Sequence, residues 1–178
     1  MVALLALSRR QFTTCPPAAI NANKQYIATL NTEHGEVKIQ LFPDKAPLAV
    51  NSFVFLAENG WYDDITFHRV IADGFAQTGD PSGTGNGNPG YLFQVEIDPS
   101  LKFDKPGMVA MYNFGQDTNG SQFFITYKAV PELNNKYTIF GQVLKGMDVL
   151  KKLTPRIPET GVITPPGDRL ISVTIEEK

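Results

Sequence analysis

Arginine and glutamine side chains occur beside aromatic residues in two short stretches of the sequence. Residues 67–80 contain Arg69, and residues 119–125 contain Gln122 and Phe124. A guanidinium group stays charged at every relevant pH and is geometrically stiff, so Arg69 is a candidate donor of hydrogen bonds to an electron-rich atom. Alternation along a strand puts Gln122 and Phe124 on one face. The pattern therefore predicts an apolar slot floored by Phe124, beside an amide that binds a carbonyl or orders Arg69.

Other chemistries need residues that the sequence lacks or places in the wrong context. The stretch Gly85–Gly90 matches a dinucleotide-binding pattern, but Pro89 interrupts it and no helix start follows. Two histidines and one cysteine are too few for a structural zinc site with four nitrogen or sulfur ligands. Ser121 does not lie in a nucleophile elbow, and His68 is its only candidate base, so both are interpreted as structural residues. We expect no metal and no cofactor.

The composition is that of one globular domain. The 178 residues are 42% hydrophobic and 19% charged, which is too apolar for a disordered chain. The 15 glycines and 13 prolines indicate many turns and argue against a helix bundle. A net charge of −2 argues against nucleic-acid binding, and the longest apolar run, Met1–Leu7, is too short to cross a membrane. Cys15 is the only cysteine, so no internal disulfide is expected.

Residues 1–24 differ in composition from the rest, because they contain Arg9, Arg10 and Lys24 but no acidic residue. The charges follow the apolar stretch, which is the wrong order for a secretory signal. We interpret residues 1–24 as a flexible N-terminal segment, with a remnant of a targeting segment as the alternative. The folded domain is predicted over residues 25–178, in the cytoplasm, or exported or organelle-targeted if residues 1–24 belong to a targeting segment.

Hydrophobic periodicity predicts about eight short strands and two helices. Strands are expected twice within residues 25–42 and once each in Thr66–Ile71, Phe75–Gly79, Gly107–Asn113, Ser121–Tyr127, Tyr137–Leu144 and Ile171–Ile175. Helical spacing from Val50 to Ala57 predicts one helix, ended by Asn59, and a second is expected over Met147–Leu153. Short antiparallel strands with frequent turns favour a barrel whose ends the helices cover.

The two stretches closely resemble the cyclophilin family of peptidyl-prolyl isomerases. The resemblance extends from about Tyr26 to Ile175, with motifs in family order and spacing. The matching segments are Phe67–Ile71, Gly74–Asp80, Asn113, Asn119–Ile125 and Tyr137–Gly141. The resemblance implies a closed eight-stranded antiparallel barrel capped by two α-helices. It also implies an isomerase that accelerates rotation about X–Pro bonds in peptides and unfolded proteins, which assists protein folding.

The chemistry of such an isomerase follows from the X–Pro bond itself. Rotation breaks amide resonance and crosses a barrier of roughly 18–20 kcal/mol. At the top of the barrier the proline nitrogen is pyramidal and its lone pair is free. A donor aimed at that lone pair binds the twisted state more tightly than either planar state. Arg69 is predicted to be that donor, and no proton moves and no covalent bond forms.

The resemblance also implies the other site residues. Gln77 and Gln122 would form hydrogen bonds near Arg69, and Asn113 would bind the peptide through its backbone, as a strand edge does. The residues implied to contact substrate are Phe75, Met111, Tyr112, Asn113, Phe114, Phe124, Leu133 and Tyr137. His68 precedes Arg69, so it points the other way and is interpreted as hydrogen-bonded inside the fold. The expected partners are proline-containing peptides and unfolded proteins, bound by a monomer, and cyclosporin-like ligands bound weakly.

Several positions depart from the family pattern. Tyr112 and Phe114 are bulkier than the usual residues and would narrow the neighbouring sub-pocket. Glu132 replaces a tryptophan common in some members, which predicts weak cyclosporin binding. Tyr137 replaces a histidine found in many relatives but keeps an aromatic wall with a polar tip.

The register around Gly74 leaves one pocket position open. By strict count Gly74 occupies the position of the family's pocket phenylalanine, and Phe75 follows one residue later. Either a local shift returns Phe75 to the pocket, or the pocket is wider on that side. The loop Gly83–Gly90 is interpreted either as a rim beside the substrate or as a purely structural turn.

Two other functions compete with the isomerase. A proline-peptide-binding or holdase module with little turnover would fit the bulky residues beside Asn113 and the uncertain register at Gly74. A small-ligand carrier would need a large interior cavity, whereas the strand count and the abundance of Phe and Ile favour a filled barrel.

Overall fold

Nine antiparallel strands form a single curled sheet in the computed structural model, which describes residues 11–158 and 166–178. The strands are β1 (Tyr26–Thr32), β2 (Gly35–Leu41), β3 (Ile65–Thr66), β4 (Arg69–Ile71), β5 (Phe75–Thr78), β6 (Met108–Met111), β7 (Phe123–Thr126), β8 (Ile139–Lys145) and β9 (Arg169–Glu177). Their order in the sheet is β3-β9-β1-β2-β8-β6-β7-β5-β4. The helices of the described residues are α1 (Pro47–Glu58), α2 (Met147–Leu150) and a single 3-10 turn, Pro131–Leu133; neither α-helix is long and apolar enough to span a bilayer.

The mainly β class is confirmed. The sheet has nine strands instead of the predicted eight, because one predicted strand is divided in two. The strand expected over Thr66–Ile71 is divided into β3 and β4, which lie at the two ends of the sheet. Only Phe67 and His68 separate them in the chain. β3 pairs with β9, and β4 pairs with β5. The sheet therefore curls until its edge strands, β3 and β4, lie on either side of this two-residue segment. Among the described residues, no ladder of backbone hydrogen bonds joins β3 directly to β4.

Alternate residues of the strands fill the interior of the curled sheet. The buried positions of β1 and β2 follow a period of two, as the sequence predicts. Helix α1 covers one end and inserts Phe53, whose ring centroid lies 5.1 Å from Tyr62, 5.4 Å from Phe123 and 5.3 Å from Phe140. These buried rings make the interior a packed core, and substrate must bind on another surface.

Helix α1 begins without a capping side chain of its own. Ala46 occupies the N-cap position, and Pro47 begins the helix, where a missing N–H costs little. The carboxylate of Glu96, on a distant loop, accepts hydrogen bonds from the N–H groups of Leu48 and Ala49, each at 2.9 Å. A residue far along the chain therefore satisfies the free donors of the helix.

Residues 11–24 lie against the curled sheet without forming a helix or strand. The N–H of Phe12 donates to the carbonyl of Pro89 at 2.7 Å, and the Phe12 ring packs 5.0 Å from the ring of Phe55. Flexibility of residues 1–24 stays a prediction for residues 1–10, which lie outside the described part. For residues 11–24, the structure shows specific contacts that the sequence analysis did not anticipate.

Candidate active site

Three predicted site residues lie side by side on one face of the sheet. Arg69 on β4 is opposite Gln77 on β5, and Gln77 is opposite Phe124 on β7. Phe124 is in turn opposite Ala110 on β6. Directly opposed residues share a face of a sheet, so strand register alone aligns a cation, an amide, an aromatic ring and a methyl group. Arg69 is half-exposed, whereas Gln77 and Phe124 are buried.

Aromatic rings form the apolar part of this face. The Cζ atom of Arg69 lies 5.0 Å from the ring centroid of Phe75, within the range of a cation–π contact. The Phe75 ring lies 5.5 Å from Phe124, and Tyr137 meets Phe124 edge-on at 5.3 Å. Leu133 packs against the same cluster. The structure therefore brings these four predicted pocket residues together beside Arg69.

The pocket position left open by the sequence is occupied by Phe75. Phe75 begins β5 and pairs with Ile71 and Thr126. Gly74 lies in the preceding turn, where its N–H donates to the carbonyl of Ile71 at 2.9 Å and its carbonyl accepts from the N–H of Tyr127 at 2.8 Å. A Cβ atom at Gly74 would come within 3.0 Å of the Ile71 side chain. The turn therefore has little room for a side chain at Gly74, and it delivers Phe75 to the site.

Met111 does not belong to this face, and its predicted place in the pocket is wrong. It is fully buried in the interior core, and its partner across the sheet is the interior residue Phe123. Since successive residues of a strand point to opposite sides, Ala110 and Tyr112 face the aromatic cluster. The prediction was one residue out of register on β6.

Tyr112, Asn113 and Phe114 form a ridge beside the aromatic cluster. The rings of Tyr112 and Phe114 pack edge-to-face at 5.3 Å, and Phe114 is 62% exposed. A recess of about 280 Å³ lies between this ridge and Gln122, and another of about 570 Å³ lies between the ridge and Tyr137. Within the described residues, neither main-chain polar group of Asn113 has a hydrogen-bond partner. The ridge therefore offers a free backbone edge.

Two carbonyl groups of the glycine-rich loop hold Gln122. Its Nε2 donates to the carbonyls of Gly85 and Gly87, both at 2.9 Å, and its Oε1 accepts from Gln77 Nε2 at 2.9 Å. Because the loop uses both N–H groups of Gln122, the oxygen must face Gln77. The Oε1 of Gln77 is buried and has no hydrogen-bond partner among the described residues. It is therefore an acceptor free for the guanidinium of Arg69 on the neighbouring strand.

Asp80 organises the glycine-rich loop, a role that was not predicted from the sequence. It is fully buried, and its carboxylate accepts the N–H groups of Ser82 at 2.8 Å, Gly85 at 2.7 Å and Gly87 at 3.0 Å. Burial acts to raise the pKa of Asp80, but the hydrogen bond from the Ser82 hydroxyl and those from the backbone N–H groups of Gly87 and Ser82 outweigh it, so the pKa is lowered. A Cβ atom at Gly87 would lie 1.9 Å from Asp80 Oδ1. The Asp-Pro-Ser turn followed by alternate glycines is the sequence signal that could have identified this residue.

His68 lies beneath the site as a neutral buried group. Its side chain is 1% exposed. Burial is the main cause that lowers its pKa to about 4, with Arg156 and Arg69 lowering it further and Asp80 opposing them. A contact with the Gln122 side chain also acts to raise the pKa, but neither ring nitrogen has a hydrogen bond of good geometry among the described residues, so the expected internal hydrogen bond stays a prediction. The lowered pKa leaves His68 uncharged at neutral pH.

The face as a whole offers a charged donor beside an apolar slot. Ala110, opposite Phe124, contributes only a methyl group to the aromatic cluster. The guanidinium of Arg69 lies beside this cluster, against the Phe75 ring. Among the described side chains, the group able to share a metal ion consists of Glu33, His34 and Asp168, which lie outside this face.

Comparison with known proteins agrees with this geometry. Residues 27–175 match the family model described as "Cyclophilin type peptidyl-prolyl cis-trans isomerase/CLD". The peptidyl-prolyl cis-trans isomerase A of Mycobacterium tuberculosis is 48% identical over 132 residues, which cover 66% of this chain and 72% of that protein. The peptidyl-prolyl cis-trans isomerase-like 2 of Rhizopus delemar is 46% identical over 133 residues, which cover 73% of this chain and 25% of that protein. The chain therefore spans only a quarter of the length of that relative.

A solved structure has the same fold. The crystal structure of a cyclophilin type peptidyl-prolyl cis-trans isomerase from Cryptosporidium parvum aligns with a TM-score of 0.77 and 33% identity, over 86% of this chain and 98% of that one. A second crystal structure of that protein, obtained in the presence of the dipeptide Ala-Pro, aligns with a TM-score of 0.76. The fold and the sequence relatives thus agree over most of the chain.

Proposed function

The chain belongs to the cyclophilin-type peptidyl-prolyl cis–trans isomerases, and we propose that it catalyses X–Pro rotation at the face formed by Arg69, Gln77 and Phe124. The observation that carries this assignment is the alignment of the three side chains by strand register, with the Phe75 ring against the guanidinium. A cation and an apolar slot on adjacent strands are what rotation of a proline imide requires.

Arg69 would act at the top of the rotational barrier. When the imide twists, the proline nitrogen loses its resonance with the carbonyl and gains a lone pair that can accept a hydrogen bond. A guanidinium N–H held beside the slot stabilises that state and neither planar state, so the interaction lowers the barrier. The cation–π contact with Phe75 limits the conformations of the guanidinium, and the free Oε1 of Gln77 is an acceptor on the neighbouring strand. Less ordering is then needed when the substrate twists.

The apolar slot would grip the proline ring. Phe124 forms its floor, with Phe75, Leu133 and Tyr137 around it. Burial of the ring against these side chains fixes one end of the imide, so the residue before proline is the part that rotates. The small side chain of Ala110 supports this assignment, because a larger group there would fill the slot.

The peptide backbone would bind along the ridge at Asn113. Its unpaired N–H and carbonyl groups are available to an extended chain, in the manner of strand addition. The two recesses beside Tyr112 and Phe114 would then accept side chains that flank the proline. The bulk of these two rings, and Glu132 on the exposed 3-10 turn, favour weak binding of large cyclic ligands such as cyclosporin.

Substitution of Arg69 tests the assignment. We expect Arg69→Ala to lower kcat/KM for an Ala-Pro peptide by about a hundredfold or more, as removal of one transition-state donor does, with peptide affinity nearly unchanged. A protease-coupled isomerisation assay measures the rate, and amide shifts on titration with Ala-Pro measure binding. Arg69→Lys keeps the charge but loses the planar geometry, and should recover little of the rate.

Arg169→Ala is the matched control, because Arg169 is an exposed arginine that pairs with Asp64. It should retain wild-type turnover. An Arg69→Ala variant with wild-type kcat/KM would contradict the mechanism. A wild-type protein that binds Ala-Pro without accelerating its rotation would instead indicate a binding module.

A further inference from the structure

Three side chains with metal-ligating atoms meet at a point that the isomerase mechanism does not use. Glu33 and His34 lie in the turn between β1 and β2, and Asp168 directly precedes β9. His34 Nε2 lies 3.4 Å from Asp168 Oδ1 and 3.9 Å from Glu33 Oε1. One ligand atom from each residue lies within 4.8 Å of the other two. The cluster therefore brings one nitrogen and two carboxylate oxygens together.

Hydrogen bonds to the main chain hold the segments that carry these residues. In the turn, the N–H of His34 donates to Thr32 Oγ1 at 3.1 Å. The N–H of Glu33 donates to the carbonyl of Arg169 at 3.2 Å, and the N–H of Arg169 donates to Glu33 Oε1 at 2.9 Å. The backbone of Thr154 donates to the carboxylate of Asp168. Main-chain contacts therefore position the two carboxylates and the backbone of His34.

His34 Nε2 is the observation that points to a ligand. The atom is shielded from solvent, yet no hydrogen bond of good geometry satisfies it within the described residues. Its nearest contact, 3.4 Å from Asp168 Oδ1, is long, and a shielded polar atom that is poorly satisfied costs free energy, although the His34 side chain as a whole is 30% exposed. It lies between two carboxylate oxygens at distances longer than a strong hydrogen bond, which normally spans about 2.7–3.0 Å in a charged pair. An atom placed between the three groups would bind all of them.

The spacing and the donor types suit a tetrahedral divalent ion. Zinc bonds to imidazole nitrogen and carboxylate oxygen at about 2.0–2.2 Å, so tetrahedral ligand atoms lie about 3.3–3.6 Å apart. The pair formed by His34 and Asp168 already has that separation. The third side chain, Glu33, is 39% exposed and can close the remaining gap. Calcium and magnesium prefer ligand sets made only of oxygen, so the imidazole favours a transition metal.

We propose that Glu33, His34 and Asp168 bind one divalent transition-metal ion, such as Zn²⁺, with water in the fourth position. The ion joins the β1–β2 turn to the start of β9, two segments far apart in the sequence. Because it binds the folded chain and not the unfolded one, it stabilises the fold by an amount that rises with the logarithm of its concentration. The site is separate from the isomerase face and does not depend on the function proposed for that face.

Calorimetric titration of the untagged full-length protein with ZnCl₂ tests the proposal. We expect one equivalent of Zn²⁺ to bind at neutral pH and to raise Tm. His34→Ala should weaken binding at least tenfold and abolish the rise in Tm. Glu33→Gln, at the most exposed ligand, should weaken binding with the least effect on the metal-free fold. Cys15→Ser is the control, because Cys15 is an exposed thiol, which can also bind Zn²⁺, and it lies outside the cluster.

Nuclear magnetic resonance of the wild-type protein provides a second readout that needs no variant. The chain has only two histidines, so Zn²⁺ should shift the ring resonances of His34 and leave those of buried His68 unchanged. Equal Zn²⁺ affinity in wild type and His34→Ala would overturn the proposal. So would a wild-type protein that takes up no Zn²⁺ at millimolar concentration, because the cluster would then be only an ion pair.

Discussion

Single side chains at the active site depend on partners that lie outside it. Gln122 can orient Gln77 only because the carbonyls of Gly85 and Gly87 accept both N–H groups of its amide. Asp80 in turn holds the backbone of these two glycines by accepting their N–H groups. The chain of contacts runs from a buried carboxylate through a loop to the residues of the proposed site. We therefore predict that Asp80 is a positioning residue, although it touches no reacting atom.

Asp80→Asn should lower kcat/KM by about tenfold, or roughly 1.4 kcal/mol in transition-state binding, because an amide replaces one of the two accepting oxygens. Since the loop acts through Gln122, kcat should fall more than KM rises. Asp98→Asn is the matched control, because Asp98 accepts the backbone N–H and hydroxyl of Ser100 in a similar turn. Equal activity of both variants in the isomerisation assay would argue against a positioning role.

His68 makes the stability of the fold depend on pH. Its pKa is lowered from 6.5 to about 4 in the folded protein, chiefly by burial, so the unfolded chain binds more protons between these values. The free energy of unfolding therefore falls as pH drops from about 6.5 towards 4. The loss should be about 2 kcal/mol between pH 7 and pH 4.5.

Urea unfolding at a series of pH values measures this loss. His68→Gln removes this titration, so the fall in its free energy of unfolding over the same interval should disappear, even if the variant is less stable overall. The raised pKa of Glu96 acts in the opposite direction, because it makes the folded state bind a proton more readily than the unfolded chain. The titration of Asp80 does not interfere with this measurement. Its pKa is lowered in the folded protein, so the change in stability that it causes falls at lower pH. Parallel curves for the two proteins would show that His68 is not the titrating group.

At the scale of elements, helix α1 depends on a residue that its own sequence does not contain. The apolar spacing from Val50 to Ala57 predicts the helix, and Pro47 correctly indicates its beginning. The cap comes from Glu96, whose carboxylate accepts two N–H groups of the first turn. A negative charge at a helix N-terminus also interacts favourably with the helix dipole.

Glu96→Ala should lower the free energy of unfolding by about 1–2 kcal/mol, because the N–H groups of Leu48 and Ala49 lose their acceptor. Glu96→Gln keeps one accepting oxygen and should recover part of the loss. Chemical denaturation of the three proteins gives the comparison. If Glu96→Ala were as stable as wild type, solvent would be capping the helix equally well.

For the molecule as a whole, residues 11–24 extend the packed surface beyond the predicted domain. Phe12 packs edge-on against Phe55 and lies near Trp61 and Tyr91, with its backbone bound to Pro89. These contacts join a segment without helix or strand to helix α1 and to the glycine-rich loop. Residues before the predicted boundary at position 25 therefore contribute to the same body.

Phe12→Ala should lower the free energy of unfolding by about 1–2 kcal/mol, less than the loss for a fully buried phenylalanine. Thr13→Ala, at the exposed neighbouring position, should change it by less than about 0.5 kcal/mol. Isomerase activity should be unchanged in both, because neither residue touches the catalytic face. Identical stability of the two variants would mean that the segment does not dock in solution.

Local patterns in the sequence predicted the fold class, and the resemblance to the cyclophilin family supplied most of the candidate site. Period-two alternation gave the strands, and the spacing of Arg69, Gln77, Gln122 and Phe124 within two motifs indicated residues that the structure brings to one face. Such signals are local, because the direction of a side chain in a strand depends only on its neighbours in the chain. The catalytic hypothesis could therefore be formed before any long-range contact was known.

Contacts between distant segments decided everything else. Strand register excluded Met111 from the pocket, and a turn with little room at Gly74 delivered Phe75 to it. Only the folded chain brings Glu96 to the start of helix α1, or Asp168 to the β1–β2 turn. The physical reason is that register and loop closure are set by the packing of the whole core, and no window of sequence contains both partners.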